Sequence, residues 1–369
     1  MEPMFEKAAI LGLGLLGGSL AKAGKKLGLI GAVAGCGRTE KRLEFALANG
    51  IADTIHKDPA EAVRGAGLVV VCTPVGTAPA MLEAIAPHLE KGALVTDVGS
   101  TKRKIVERAE AVLPESVYFV GGHPMAGSEN SGVEAATDTL FENAICALTS
   151  SSGTNMMALN RLEKFWTALK AKVLVVSPAE HDLLVAASSH LPHMVAVALT
   201  RCVAGVSENY EKVIPLLAGG FRDTTRIASG SPEMWRDICL ENRESIAAVL
   251  EDFIRTASET AELIKRGDSA ELAAHLSRAK TFRDELPSRG RGILEPVHEI
   301  LVDVSDKPGI IGEIATTLGR NHINLRNINV QHVREFQGGT LSVILEKDAD
   351  IDRAISLLKE RGFAARPRE

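Results

Sequence analysis

The stretch AAILGLGLLGGSLAKAGKKLG, residues 8–28, decides the fold. It opens on an apolar run, the pattern of a strand buried on both faces. Glycines then fall at Gly12, Gly14 and Gly17, where the run gives way to a helical pattern. Each glycine has its own task if this turn holds a pyrophosphate: a tight bend at Gly12, close approach of the anion at Gly14, and helix–strand packing at Gly17. The free N–H groups of the helix start would then face the anion. Such a GxGxxG says little alone. In the first strand–helix turn of an alternating chain it points to a dinucleotide, so Gly12, Leu13, Gly14, Leu15, Leu16 and Gly17 are the expected cofactor loop.

The alternation is there. IGAVAGC (30–36), LVVVCTP (68–74), ALVTDVGS (93–100) and VYFVGG (117–122) read as further strands, with helices between them. AICALTS and KVLVVS, the latter ending at Ser177, are expected as the last strands of the same sheet. This rhythm predicts an α/β, Rossmann-like dinucleotide-binding domain over residues 1–177, mainly parallel with helices on both faces. Thr73 and Pro74 follow a strand at the ligand-binding edge. The second strand should end in an acid if the site holds a ribose 2′-hydroxyl. Here Gly37, Arg38 and Thr39 follow it. A guanidinium without a carboxylate tilts the choice between NAD and NADP slightly towards NADP.

The rest of the chain bounds the problem. With 369 residues, 45% of them apolar, two or three domains are expected. A net charge of −5 supplies no basic field for nucleic acid or an anionic membrane, and 4% aromatics leaves few stacking platforms. Cys36, Cys72, Cys146, Cys202 and Cys239 form no CxxC pair and are read as reduced core thiols of a cytoplasmic protein. The opening residues have one lysine before an apolar run, as a secretory signal would, but glycines interrupt the run. No apolar run is expected to span a bilayer.

From Pro178 to Pro287 the pattern turns all-helical, with AEHDLLVAASSHLPHMVAVALTRCVAGV, EMWRDICLENRESIAAVLEDFIRTASETAELIKRG and SAELAAHLSRAKTFRDEL as long helices. Ser231 and Pro232 supply an N-cap and a first-turn proline, and Pro192 should disturb the first helix. So apolar a helical half, residues 178–287, predicts burial against a second subunit. SRGRG lies in a basic linker, 288–296. Residues 297–369 then read β-α-β-β-α-β, the split βαβ arrangement.

Three polar groupings invite chemistry. GGHPMAGSENSG (121–132) places His123 at the head of an irregular small-residue loop beyond a strand, where it could accept a proton from a substrate hydroxyl. SSHLPH carries His190 and His193 three apart, a spacing that allows a metal site with Asp182 or Glu180, although no compact third-ligand signature exists and none is assigned. GGFRDTTRIASGSPEMWRD (219–237) holds Arg222 and Arg226, able to clamp carboxylates, and Trp235, able to wall a cavity.

Taken in order, GLGLLGGSLA, DVGSTK, GGHPMAGSE, SSHLPH, GGFRDTTRIA and MWRDI resemble the prephenate/arogenate dehydrogenases of tyrosine biosynthesis over nearly the whole chain. The resemblance implies a dinucleotide domain, a helical domain intertwined in a homodimer, and a C-terminal ACT-like unit. It implies oxidative decarboxylation of prephenate or arogenate with NAD or NADP, with His123 as general base assisted by Ser100. It further implies substrate contacts from Arg226, His193, Glu129, Asp223 and Trp235. The turn SDKPG, with Asp306 and Gly309, is the expected seat of L-tyrosine as an allosteric ligand. Rival readings are a β-hydroxyacid dehydrogenase, for which no catalytic lysine can be placed, and a non-catalytic dinucleotide and amino-acid sensor.

Overall fold

The structure, a computed structural model, describes residues 2–127, 131–286, 298–305, 307–333 and 339–367. It divides into two compact units, Met1–His275 and Leu276–Glu369.

The first unit opens with β1 (Phe5–Leu11), α1 (Leu15–Lys26), β2 (Ile30–Cys36), α2 (Glu40–Ala48), β3 (Thr54–His56) and α3 (Pro59–Val63). It continues with β4 (Leu68–Val71), α4 (Ala78–Ile85), β5 (Leu94–Asp97), α5 (Arg103–Val112) and β6 (Tyr118–Val120). These strands form one parallel sheet in the order β3-β2-β1-β4-β5-β6. The order reverses between β1 and β4, which opens a crevice at their carboxyl ends. The unbroken apolar strands are explained by burial on both faces. Ala8, Ile10, Leu68 and Val70 pack against α1 and α2 with residues such as Leu20 and Leu43, whereas Ala9, Leu11, Val69 and Val71 pack against α3, α4 and α5.

Two expectations fail around Gly121. AICALTS and KVLVVS do form strands, β8 (Ile145–Thr149) and β9 (Lys172–Val176), but not in the large sheet. They make a separate three-stranded sheet with β7 (Gly122–Pro124), which runs antiparallel to β8. His123 is therefore paired within a strand, opposite Ala147, rather than heading an irregular loop. The chain changes sheets at two glycines because nothing larger fits. A Cβ on Gly121 would lie 2.5 Å from Thr149 Oγ1, and one on Gly122 2.7 Å from the Asp97 carbonyl. Helix α6 (Met156–Ala168) lies between β8 and β9 in sequence and buries Phe165 and Trp166.

The helical half begins with α7 (Pro178–Val185), whose start is a capping box between Ser177 and Glu180. A π turn over Ala186–His190 joins it to α8 (Leu191–Ser207). The disturbance expected from Pro192 takes this form: proline lacks the N–H of the regular ladder, and a wider turn absorbs the mismatch. Contrary to expectation, Pro178–Ser207 as one stretch is long and apolar enough to cross a membrane by length and composition. Its Asp182, His181, His190 and His193 are buried against protein.

After α9 (Gly219–Thr225) the long second helix expected from sequence is broken at Asn242 into α10 (Pro232–Glu241) and α11 (Arg243–Arg266). Ser231 caps α10 through the Met234 N–H. Ile238 and Ile246 insert into the core on the α3–α5 side of the large sheet, which fixes the helical half there. Helix α12 (Ser269–Glu285) follows. Cys36 and Cys146 are buried as expected, but Cys72 and Cys239 are half-buried and Cys202 is exposed, so not every thiol belongs to a core.

The second unit comprises β10 (His298–Val304), α13 (Ile310–Arg320), β11 (Leu325–Val333), β12 (Gly339–Leu345), α14 (Ile351–Glu360) and β13 (Ala364–Pro367). Its sheet is antiparallel, in the order β11-β12-β10-β13. Ile314 and Leu318 of α13, with Ala354 and Leu358 of α14, cover Ile300, Val302, Leu341 and Val343. The expected linker 288–296 lies outside the described residues.

Candidate active site

At the strand-order reversal, backbone rather than side chains shapes the site. Gly12 has φ +110°, and a Cβ there would lie 2.6 Å from the Cys72 carbonyl oxygen of the neighbouring strand end. A Cβ on Gly17 would meet the Gly12 carbonyl oxygen at 2.4 Å and Ile10 at 2.9 Å. Gly14 differs: a Cβ would meet nothing within 4 Å, so its surface faces open space. Gly14 caps α1 with no side-chain bond to the helix start. Such an N-terminus leaves first-turn N–H groups, here in the Leu15–Gly17 segment, available to an anion.

Beside this loop lies a cavity of about 300 Å³ lined by Gly12, Leu13, Gly14, Thr73, Pro74 and the end of the second strand. The Thr73 hydroxyl is buried without a hydrogen-bond partner among the described residues. The open cradle at Gly14 and this unpaired hydroxyl suit a bound dinucleotide. Past β2, Arg38 and Thr39 are exposed on the cavity rim, and Arg42 and Lys57 join them. Among the described residues no carboxylate lines the cavity. Arg42 lies 4.0 Å from Glu134 and Lys57 3.1 Å from Glu40, whereas Arg38 has no ion pair among the described residues.

The second cluster is built from side chains. His123 Nδ1 is 2.9 Å from His181 Nε2, and His181 Nδ1 is 2.8 Å from Asp182 Oδ1. Asp182 also accepts the backbone N–H groups of Lys102 (2.7 Å) and Arg103 (3.0 Å), which tie it to the start of α5. Asn242 donates to the Asp182 carbonyl oxygen at 2.7 Å and lies 3.3 Å from His190 Nδ1. This explains the helix break: a buried asparagine spends its side chain on tertiary contacts where α10 meets α11. Lys102 is fully buried, paired with Asp97 and donating to the Gly122 carbonyl oxygen at 2.6 Å. It thereby braces the residue before His123.

Burial disfavours the charged form of His123, His190 and His193. Burial first, then His181, Lys102 and His190, hold His123 well below the ordinary histidine value of 6.5. Burial lowers His190 to about 4 and also lowers His193. A neutral imidazole can accept a proton.

The other expected residues are dispersed. His193 stacks on Trp235 at 3.5 Å between ring centroids, 11° from parallel, and His190 meets the same indole edge-on. A Cβ on Gly230 would strike that indole at 2.7 Å, which accounts for the glycine. Arg226 and Asp223 are exposed on α9 and the turn after it, and these elements pack against α8. Ser100 lies half-buried on the β5–α5 connection. Among the described residues the His123 ring is hydrogen-bonded to His181. Glu180 serves its capping box and Asp182 serves α5, so neither joins His190 and His193 around a metal. Among the described residues no group of three or more His, Cys, Asp or Glu could hold one. Glu129 and Asp306 lie outside the described residues. Gly309 caps α13 with φ +90°. Sequence reading missed His181, Lys102, Asp97 and Asn242. The local signals were the DVGSTK motif, which begins at Asp97 and ends at Lys102, and the density of polar groups in EHD, at the start of an otherwise apolar helix.

The chain matches, in order, the family models for the prephenate dehydrogenase nucleotide-binding domain over residues 20–175, the prephenate dehydrogenase dimerization domain over 177–278, and the ACT domain over 298–363. It is 38% identical over 362 residues to a prephenate dehydrogenase of Bacillus subtilis (strain 168), covering 98% of each chain. It is 33% identical to a cyclohexadienyl dehydrogenase of Zymomonas mobilis, covering 76% of this chain and 96% of that one. Among solved structures it resembles prephenate dehydrogenase from Aquifex aeolicus in complex with hydroxyphenyl propionate and NAD+. That likeness has a TM-score of 0.72 and 34% identity, over 76% of this chain and 98% of that one.

Proposed function

The chain belongs to the prephenate dehydrogenase family and is an NAD(P)-dependent oxidoreductase, and from that premise we propose that it converts prephenate to 4-hydroxyphenylpyruvate in the cytoplasm as a homodimer. The observation that carries the reading is His123, neutral and half-buried just past the carboxyl edge of the sheet that holds the glycine loop. The bound dinucleotide supplies a hydride acceptor.

His123 takes the proton of the substrate hydroxyl as the ring carbon is oxidised. Loss of the ring carboxylate as CO2 leaves a phenolate, and His123 returns the proton to it. Protons therefore balance, and the histidine ends each cycle neutral. Ser100 assists at the hydroxyl. Arg226 clamps a substrate carboxylate, while His193, Trp235, Glu129 and Asp223 enclose the ring and its side chain. Gly12–Gly17, with Thr73 and Pro74, holds the pyrophosphate side of the dinucleotide. Arg38 and Thr39 face its ribose, so NADP+ serves at least as well as NAD+. The exposed Leu183, Leu184, Phe253 and Ile254 support burial of the helical half against a second copy. L-tyrosine bound at the C-terminal unit, beside Asp306 and Gly309, inhibits turnover.

The test is reduced-dinucleotide formation from prephenate and from arogenate, with each cofactor, with and without L-tyrosine. The reading requires turnover of prephenate. Activity on arogenate alone would shift the substrate, and no turnover of either would refute the reading. Inhibition by tyrosine that is strictly competitive with prephenate would place tyrosine in the active site instead.

A further inference from the structure

We propose that His181, held by Asp182, is the positioning residue that fixes the tautomer of His123 and leaves its Nε2 bare towards the substrate. The inference rests on the proposed dehydrogenase chemistry only for its kinetic consequence; the tautomer itself follows from the contacts.

Both carboxylate oxygens of Asp182 accept backbone N–H groups, Oδ1 from Lys102 and Oδ2 from Arg103. These donors cannot turn away, because they belong to the start of a helix, where N–H groups have no partner of their own. Asp182 is only 3% exposed, and Asn242 holds its carbonyl oxygen. Oδ1 can therefore only accept from His181, so the His181 Nδ1 carries a hydrogen. An imidazole in its neutral form has one donor and one acceptor nitrogen. His181 Nε2 is then the acceptor. The nitrogen facing it across 2.9 Å, His123 Nδ1, must donate. The remaining nitrogen of His123, Nε2, carries a lone pair.

Which ring nitrogen carries the proton is set by the bond the other one makes. Here that setting passes through two side chains. It also fixes the ring plane, because the two imidazoles meet edge to face at 69° with centroids 5.1 Å apart. Without His181, His123 would be free to carry its proton on Nε2. It would then present a donor where the substrate hydroxyl needs an acceptor. His181 acts through His123 and not on the substrate or cofactor directly.

The experiment has two arms on the full chain. The first is long-range 1H–15N correlation NMR of the 15N-histidine-labelled protein at pH 8 without substrate or cofactor, with His123→Asn used to assign the signal. The expected result is a protonated Nδ1 and a bare Nε2 on His123. The second arm compares His181→Phe, which fills the space but accepts nothing, with His181→Gln, whose amide oxygen can accept from His123 Nδ1. His181→Phe should lower kcat about a hundredfold, within the usual weight of a general base, with KM nearly unchanged. His181→Gln should recover at least about tenfold of that loss.

A His123 that carries its proton on Nε2 in the wild type overturns the proposal, whatever the variants do. So does wild-type kcat in His181→Phe, or a Gln variant that melts like the wild type yet is no faster than Phe. If neither prephenate nor arogenate is turned over by the wild type, the dehydrogenase reading fails, and the NMR arm still decides the tautomer.

Discussion

The glycine loop at the strand-order reversal and the histidine cluster beyond β6 lie in one unit but are built on opposite terms. The loop works by what it lacks. Gly12 and Gly17 are where a Cβ would strike the backbone within 2.6 Å, and Gly14 leaves a space open. Its useful groups are backbone N–H groups, which every sequence has. The cluster works by what its side chains supply to one another. Asp182 tethers His181, His181 tethers His123, and Asn242 tethers Asp182 and faces His190. The loop should therefore fail when a side chain is added, and the cluster when one is removed.

The largest effect is expected in the cluster. His123→Asn should lower kcat by about 10²–10⁴-fold with little change in KM; near-normal turnover would remove His123 from the chemistry. The same residue sets a pH signature. Its folded-state value lies below 6.5, mainly through burial. The neutral base therefore persists as pH falls past 6.5 and is lost only below it. The acid limb of the kcat/KM profile should sit below pH 6.5; a limb at or above that value would mean that His123 is not so enclosed.

Adding one methyl group tests the loop. Gly12→Ala places an L side chain at φ +110° against the Cys72 carbonyl oxygen. Strain of about 1–3 kcal/mol falls on the bound geometry, so KM for the dinucleotide should rise about tenfold or more. The His123 signals in NMR should stay in place. If those signals move and cofactor KM does not, the two regions are not separable as described.

The smallest effect concerns the rim where the regions' logics meet, a side chain placed on a backbone-built site. Arg38→Ala should raise KM for NADP+ about threefold to sixfold, the weight of one exposed charge pair, and leave NAD+ nearly unaffected. Equal losses for both cofactors would show that Arg38 serves the loop rather than the 2′-phosphate.

Legibility followed the same division. The GxGxxG turn was readable because its pattern is local: three glycines within six residues, placed between an apolar run and a helical one. The strands were readable because burial on both faces makes them uniformly apolar. AICALTS and KVLVVS show where this stops. Their composition identified strands correctly, but a strand buried in a small sheet has the same composition as one in a large sheet. Only the passage through Gly121 and Gly122 decided which. The break at Asn242 was unreadable for a similar reason: the apolar spacing continues across it, and what interrupts the helix is a carbonyl sixty residues earlier in the chain.

The sequence by itself determined that a dinucleotide fold begins this chain, that a helical half follows, and that a small β-α-β-β-α-β unit ends it. These are matters of period, glycine placement and turn chemistry, which act over a few residues. It also marked His123 as a polar group worth explaining. The tertiary structure decided what His123 is joined to. Hydrogen bonds run from β7 to α7, and from α7 on to the start of α5 and to Asn242. An imidazole held through one ring nitrogen requires partners at fixed distances. Sequence spacing does not encode those distances; the packing of α7 against α5 and β8, with Asn242 bonded to it, sets them.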